Sequence, residues 1–266
     1  VLGVRSAGHT GTLDPFATGL LVVLLNRATR LARFVQSQPK TYLATVRLGI
    51  RTDSDDLTGK VLATSATASS VSEARAREEL ASFLGEYLQV PPQYSAKQVG
   101  GERSYRRARR GEATELAPAR VSVHHIDLIR YQPPELTFRT IVSAGTYVRA
   151  LARDLGERLG VGAHLTQLRR EAIGSLRVEE AEPLDQLGPK SVRPAHQVLG
   201  HLPTLVVDPA DRSHLVHGRA VKDVSGATAN RGRGEEVAVV GEGDLIAVAR
   251  VEDGWLQPTV VLDQPR

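Results

Sequence analysis

Cysteine and methionine are both missing from this 266-residue sequence, which holds a single tryptophan and only 4% aromatic residues. Without cysteine there is no disulfide and no thiolate-liganded zinc site. The eight histidines contain no HExxH-type pair, so a metal centre has little support. No apolar run exceeds the six residues LLVVLL at 20–25, against the roughly 20 that a membrane-spanning helix needs. No cationic-then-apolar segment opens the sequence, so secretion is not indicated and a cytoplasmic location is expected. With no initiator methionine, the sequence is expected to begin inside a longer coding frame.

What is present is ordinary for a globular protein: 41% hydrophobic and 24% charged residues. The length allows one large domain or two ordinary ones. The net charge of +4 and pI near 9.6 are mildly basic, and for nucleic-acid binding the distribution of charge says more than its total.

Periodicity gives the coarse organisation. The run at 20–25 reads as a buried strand and 28–36 as a short helix. Tyr42, Ala44, Val46 and Leu48 alternate with Leu43, Thr45 and Arg47, the period of a strand. Ser70 followed by Glu73 resembles a capping box opening a helix that stops at Gly85. Alternating runs follow near 121–131 and 136–143. Leu151, Leu155 and Leu159 then recur at helical spacing before Gly160. Strands and helices mix without regular βαβ alternation, which implies an α+β fold. Prolines recur between 181 and 203, a linker pattern. Beyond it, EEVAVV, DLIAVARV and TVVL are short strands broken by glycines, as in a small β-barrel.

Three stretches carry possible chemistry. GHTGTLDP at 8–15 sets one carboxylate, Asp14, before a proline that biases it to extended geometry, among glycines that permit close approach. It is either a plain connector or a ligand loop; the Walker phosphate-loop spacing is not met. The segment 94–112 gathers Lys97, Arg103, Arg106, Arg107, Arg109 and Arg110 against the single acid Glu102 within 97–111, with Tyr94 and Tyr105 interleaved. Such a run is a solvated helix face or a clamp for a phosphate backbone, and its density and aromatic partners favour the clamp. The third stretch, SAGTYVRALARDLG at 143–156, places Tyr147 and Arg149 at the start of a helix.

Together GHTGTLDPFATGLL, KTYLATVRLGIRTDSDD, VPPQYSAKQVGGERSYRRARRGE and SAGTYVRALARDLGERLGVGAHLTQLRR resemble the bacterial TruB family of tRNA pseudouridine synthases, from residue 7 to about 176. The resemblance implies a catalytic domain with a mixed, largely antiparallel sheet over residues 1–180, including a basic thumb segment at 92–120. It further implies a linker at 181–203 and a PUA-like RNA-binding barrel at 204–266, and that the family's N-terminal strand would precede residue 1. The implied activity is isomerisation of uridine 55 in the T-loop of tRNA to pseudouridine, with no metal or organic cofactor. It needs one carboxylate beside the sugar, as nucleophile at C1′ or base at C2′. That carboxylate corresponds to Asp14. His9 matches the residue that fills the space left by the flipped uridine. Tyr42 matches the tyrosine that packs on the base and is implicated in C5 deprotonation. Arg149 matches the arginine paired with the aspartate, Leu168 an apolar pocket contact, and Tyr147 a pocket wall. Lys97, Arg103, Arg106, Arg107, Arg109 and Arg110 fall in the thumb that closes on RNA. The expected partner is the T-arm of tRNA, bound by a monomer without guide RNA or membrane. Ala144 and Ser54 depart from the usual family residues. The rival reading is a non-catalytic tRNA-binding or tRNA-folding protein of the same fold. The guide-RNA-dependent branch fits less well, because of the long arginine-rich thumb.

Overall fold

The computed structural model describes all residues except 1, 96–97, 100, 111, 113–115, 224–231 and 264–266, and omits the side chains of 98, 99, 102, 103, 106, 108 and 109. The described residues form two compact units whose boundaries do not follow chain order. One contains 13–20 and 38–173; the other contains 1–12, 21–37 and 174–266.

The first unit is built on an antiparallel sheet. Its central strand β2 (Lys40–Leu48) lies between β7 (Glu135–Val142) and β8 (Ala163–Ile173). Beyond β7 follow β6 (Ala119–Gln132) and the edge strand β5 (Gly85–Gln89), while β3 (Ile50–Thr52) and β4 (Val61–Thr64) pair as a separate two-stranded ribbon. The two-residue strand β1 (Thr18–Gly19) runs parallel to β8 and makes the sheet mixed. β2 follows its sequence alternation: Ala44, Val46 and Leu48 are buried while Arg47 is exposed. Against that buried face packs α2 (Val148–Arg158), whose Leu151 and Leu155 share a core with Leu165 and Phe138. Gly160, with φ of 75°, lies just beyond the helix end, as its sequence position suggests.

Three local readings change. The helix read as stopping at Gly85 ends at Ala81, and Gly85 opens β5. The capping residue of α1 (Glu73–Ala81) is Ser72, whose hydroxyl accepts from the Arg75 amide; Ser70 lies in the preceding 3-10 turn. Both serines precede Glu73, so the pattern alone chose the wrong one. The LLVVLL run is not a buried strand throughout: only Val23–Leu25 is strand, and Leu20 and Leu24 are buried while Leu21 and Val23 are about half exposed.

The second unit carries a five-stranded sheet in the order β9 (Thr204–Val206), β11 (Glu236–Gly241), β12 (Asp244–Glu252), β13 (Trp255–Val261), β10 (Val221–Lys222), which fits a PUA-like domain. The segment 21–37 belongs here too. Leu24, Leu31 and Phe34 are buried with Leu199, Ala238, Leu245 and Val248. Arg33 bonds Glu236 at 2.6 Å, and Arg30 donates to the Val261 carbonyl at 2.9 Å.

The loop carrying Asp14 is fastened at both of its described ends within the first unit. Ala17 N–H donates to the Asp14 carbonyl at 2.9 Å, closing a turn with proline at its second position. At the exit, Leu20 N–H donates to the Arg170 carbonyl at 2.8 Å while Arg170 Nε donates to the Leu20 carbonyl at 2.8 Å. Gly19 sits between with φ of 101°, and a Cβ there would lie 2.2 Å from the Arg170 carbonyl oxygen. Glycine is required on both counts. Gly19→Ala should therefore destabilise the protein by about 2 kcal/mol or more, from overpacking and left-handed strain. Thermal unfolding reads this directly, and an unchanged melting temperature would refute the close approach of β1 to β8.

Candidate active site

Arg149 is the second residue of α2, and the helix aims its guanidinium back toward the Asp14 loop. The contact is a two-pronged one: Nε donates to Asp14 Oδ2 and Nη2 to Asp14 Oδ1, both at 2.9 Å. Nη2 also donates to the Tyr94 carbonyl and Nη1 to the Ser54 carbonyl, each at 3.0 Å. Nη1 further stands 3.4 Å from Asp56 Oδ2. An arginine has five N–H donors in a rigid fork; here four hydrogen bonds are made, and the Asp56 carboxylate stands beside Nη1 as an ion-pair partner. The Arg149 side chain is 6% exposed, that of Asp14 28%, so the carboxylate stays open to a ligand while its partner does not.

Asp56 is a second buried acid in the group. Its Oδ1 accepts from Ser54 Oγ at 2.7 Å, Thr58 N–H at 2.9 Å and Thr58 Oγ1 at 2.6 Å. The charge count of the trio is one cation against two carboxylates.

Comparison with known proteins decides the family. The model for the TruB family pseudouridylate synthase N-terminal domain matches residues 1–148, and that for the tRNA pseudouridylate synthase B C-terminal domain matches 149–212. This chain belongs to the TruB family. A relative named tRNA pseudouridine synthase B, from Burkholderia pseudomallei (strain 668), is 40% identical over 264 residues, spanning 96% of this chain and 87% of the relative. Another so named, from Arthrobacter sp. (strain FB24), is 37% identical over 270 residues, spanning 97% and 88%. Among solved structures, that of an H/ACA RNP bound to a substrate RNA containing 2′-deoxyuridine aligns with a TM-score of 0.72 at 22% identity, covering 100% of this chain and 78% of the other. A Cbf5-Nop10-Gar1 complex aligns at 0.68 and 24% identity, over 100% and 77%. These two share the fold. The TruB-family chain is a pseudouridine synthase, an isomerase.

Its remaining expected site residues fall in different places. Tyr42, on β2, packs on the core that contains Leu168 of β8, itself 7% exposed. Leu168 also lines a cleft of about 240 Å³ with Phe16, Thr18 and Leu43. Tyr147 caps α2, its backbone held by Gln89: Tyr147 N–H donates to Oε1 at 2.9 Å and the Tyr147 carbonyl accepts from Nε2 at 3.1 Å. It lines a different cleft, of about 300 Å³, with Pro91, Arg120 and Gly145. His9 belongs to the second unit, exposed on a short strand (Ala7–His9) paired with Val23–Leu25. In the basic segment a short helix, Ser104–Arg109, is present. Arg107 and Arg110 both reach Glu112, at 3.4 and 2.9 Å. Lys97 and the side chains of Arg103, Arg106 and Arg109 lie outside the described residues.

Sequence reasoning missed Asp56 and Arg170. Asp56 hides in RTDSDD, which reads as a polar loop. Arg170 is 2% exposed, stands opposite Tyr42 in the sheet and offsets the rise of its phenol, although a second arginine in QLRR reads as surface charge.

Burial pushes the Asp14 carboxyl above its ordinary value, Arg149 pulls it back down by charge and hydrogen bonds, and Asp56 adds a further upward push. Burial wins. Burial likewise raises the Tyr42 phenol against the opposing pull of Arg170, with Asp14 adding to the rise, so Tyr42 is neutral at physiological pH. Replacing the guanidinium, as in Arg149→Met, should raise Asp14 further, by about 1 to 3 pH units. A raised carboxyl is ionised only at higher pH, so the acidic limb of any Asp14-dependent activity should move upward, with partial recovery in alkaline buffer. A rate that falls equally at every pH would show that Arg149 does not tune Asp14.

Proposed function

We propose that this pseudouridine synthase isomerises uridine 55 in the T-loop of tRNA, without guide RNA, and that Asp14 is the reacting carboxylate. Support for tRNA as substrate comes from the relatives, which are named tRNA pseudouridine synthase B across nearly the whole chain. The observation that carries the role of Asp14 is its two-pronged pairing with a buried arginine while its own side chain remains partly open.

The reaction breaks the N1–C1′ bond, turns the base and joins C5 to C1′; C5 loses a proton and N1 gains one. Asp14 acts either by attacking C1′ or by removing the C2′ proton to give a glycal, and both roles require the ionised carboxylate. Arg149 opposes the protonation that burial favours. The uridine leaves its stack because a stacked base hides the reacting sugar face. Tyr42, kept neutral by burial, suits packing on the base better than service as a phenolate base. Leu168 supplies an apolar wall. His9 fills the vacated stack, Tyr147 borders the RNA path, and the thumb arginines hold phosphates. In function, catalysis is assigned to 1–180 and RNA binding to 204–266, joined through 181–203, although 1–12 and 21–37 pack in one unit with 174–266.

Asp14→Asn keeps the size of the side chain and removes its charge. Single-turnover pseudouridine formation on a T-arm stem-loop should fall by about 10²-fold or more, with the stem-loop still bound. Turnover near the parent rate would remove Asp14 from the mechanism. For the thumb, Arg107→Gln combined with Arg110→Gln should reduce the slope of log affinity against log salt by about 0.7 to 0.9 per lost phosphate contact. An unaltered slope would make this helix an ordinary solvated face.

A further inference from the structure

We propose that Arg153 is a positioning residue for the Asp14 site, fixing from one helical turn away the two chain segments against which Arg149 is braced. The inference rests on the reading of Asp14 as the reacting carboxylate.

Arg149 and Arg153 stand four residues apart on α2 and so share a face of the helix. Arg149 grips the Ser54 and Tyr94 carbonyls, each at 3.0 Å. Arg153 grips the same two segments: Nη1 donates to Asp55 Oδ2 at 2.9 Å, and Nη2 to the Val90 carbonyl at 2.8 Å. Nε and Nη2 also donate to Asp154 Oδ1, at 2.9 and 2.8 Å. The two arginines thus form a ladder with 54–56 as one rail and 90–94 as the other.

The arrangement has consequences for Arg149 in particular. Asp55 adopts φ of 60°, a left-handed conformation that aspartate tolerates but does not favour. What holds it is the Arg153 pair together with the Leu165 amide, which donates to the Asp55 carbonyl at 3.0 Å. The residue before it presents the carbonyl that Arg149 uses, and the residue after it is Asp56. The Asp55–Arg153 pair is largely buried, with side chains 12% and 17% exposed, so losing one partner leaves an uncompensated charge and forces the segment to move. When the Ser54 and Tyr94 carbonyls shift, the Arg149 fork loses the supports that orient it toward Asp14.

The second rail continues into the basic segment. Ser104 Oγ donates to the Gln93 carbonyl at 2.6 Å and Tyr105 N–H to the Ser95 carbonyl at 3.1 Å. The first turn of the Ser104–Arg109 helix is therefore tied to the residues flanking the carbonyl that Arg149 holds.

The groups bearing on Asp14 are Arg149, Asp56 and Tyr42; those bearing on Asp55 are Arg153, Arg149 and Asp154. Burial lifts Asp55 to about 6, so its pair with Arg153 is complete above that pH. Loosening Arg149 leaves burial and Asp56 less opposed at Asp14, whose carboxyl then rises.

The experiment compares parent, Arg153→Met, Arg153→Lys and Asp55→Asn in single-turnover pseudouridine formation on a T-arm stem-loop across pH. The ¹³C carboxyl shift of Asp14 is followed in parallel, in RNA-free protein. For Arg153→Met the acidic limb and the Asp14 titration should both move up by about one pH unit, a roughly tenfold loss on that limb. The loss should shrink in alkaline buffer. Lysine keeps charge but not the fork and should restore part of the shift. If the methionine variant does not fold, Asp55→Asn cuts the same pair at constant shape and should displace the same limb. A parent protein that makes no pseudouridine would refute the proposed function. An Asp14 titration that does not move in a folded variant, or a loss equal at every pH, would overturn the role of Arg153.

Discussion

The Asp14 site depends on how Arg149 directs its five donors: two to one carboxylate, two to backbone carbonyls and one toward a second carboxylate. A guanidinium held on every side cannot swing away when a ligand approaches, and it cannot be deprotonated. The partner it orients is a residue 135 positions earlier, on a loop closed by a proline turn and locked at its exit to β8. The sheet serves this contact. β8 holds Arg170 and Leu168, β2 holds Tyr42 between them and β7, and α2 lies across the buried face with Arg149 near its first turn.

The electrostatics follow from where these groups sit. Burial alone would leave Asp14 protonated over a wide range, which would disable it as nucleophile or base. A single arginine shared by two acids offsets burial without cancelling it. Such a balance makes the carboxylate sensitive to small changes in how the arginine is held, and the ladder of Arg149 and Arg153 is the structural means of holding it. Tyr42 shows the same logic with the sign of the outcome fixed: Arg170 moderates the rise of the phenol, and burial still dominates.

Much of the fold was legible where a local rule acts alone. The alternation from Tyr42 to Leu48 and the leucines of α2 depend on one buried face each, and both elements stand where the periodicity puts them. The cap of α1 was misread because Ser70 and Ser72 both offer a hydroxyl ahead of Glu73, and only the path of the chain selects between them. The LLVVLL run was misread because hydrophobicity without periodicity does not say which side chains face the core. Its partners are also remote: segment 21–37 packs with residues beyond 195, a pairing no local pattern encodes. Within the site, Asp14 and Arg149 could be named from their motifs. Asp56, Asp55 and Arg170 could not, because a buried charge in a polar-looking stretch is recognisable only when its distant partner is in place.

The chemistry proposed for this protein is isomerisation of a tRNA uridine by a single carboxylate kept reactive by Arg149. The measurement that bears on it most directly is tritium release from a T-arm stem-loop carrying [5-³H]uridine at the target position, with purified protein and no guide RNA. Stoichiometric release is expected, because C5 must give up its hydrogen as it bonds to C1′. A protein that binds the stem-loop yet releases no tritium would contradict it.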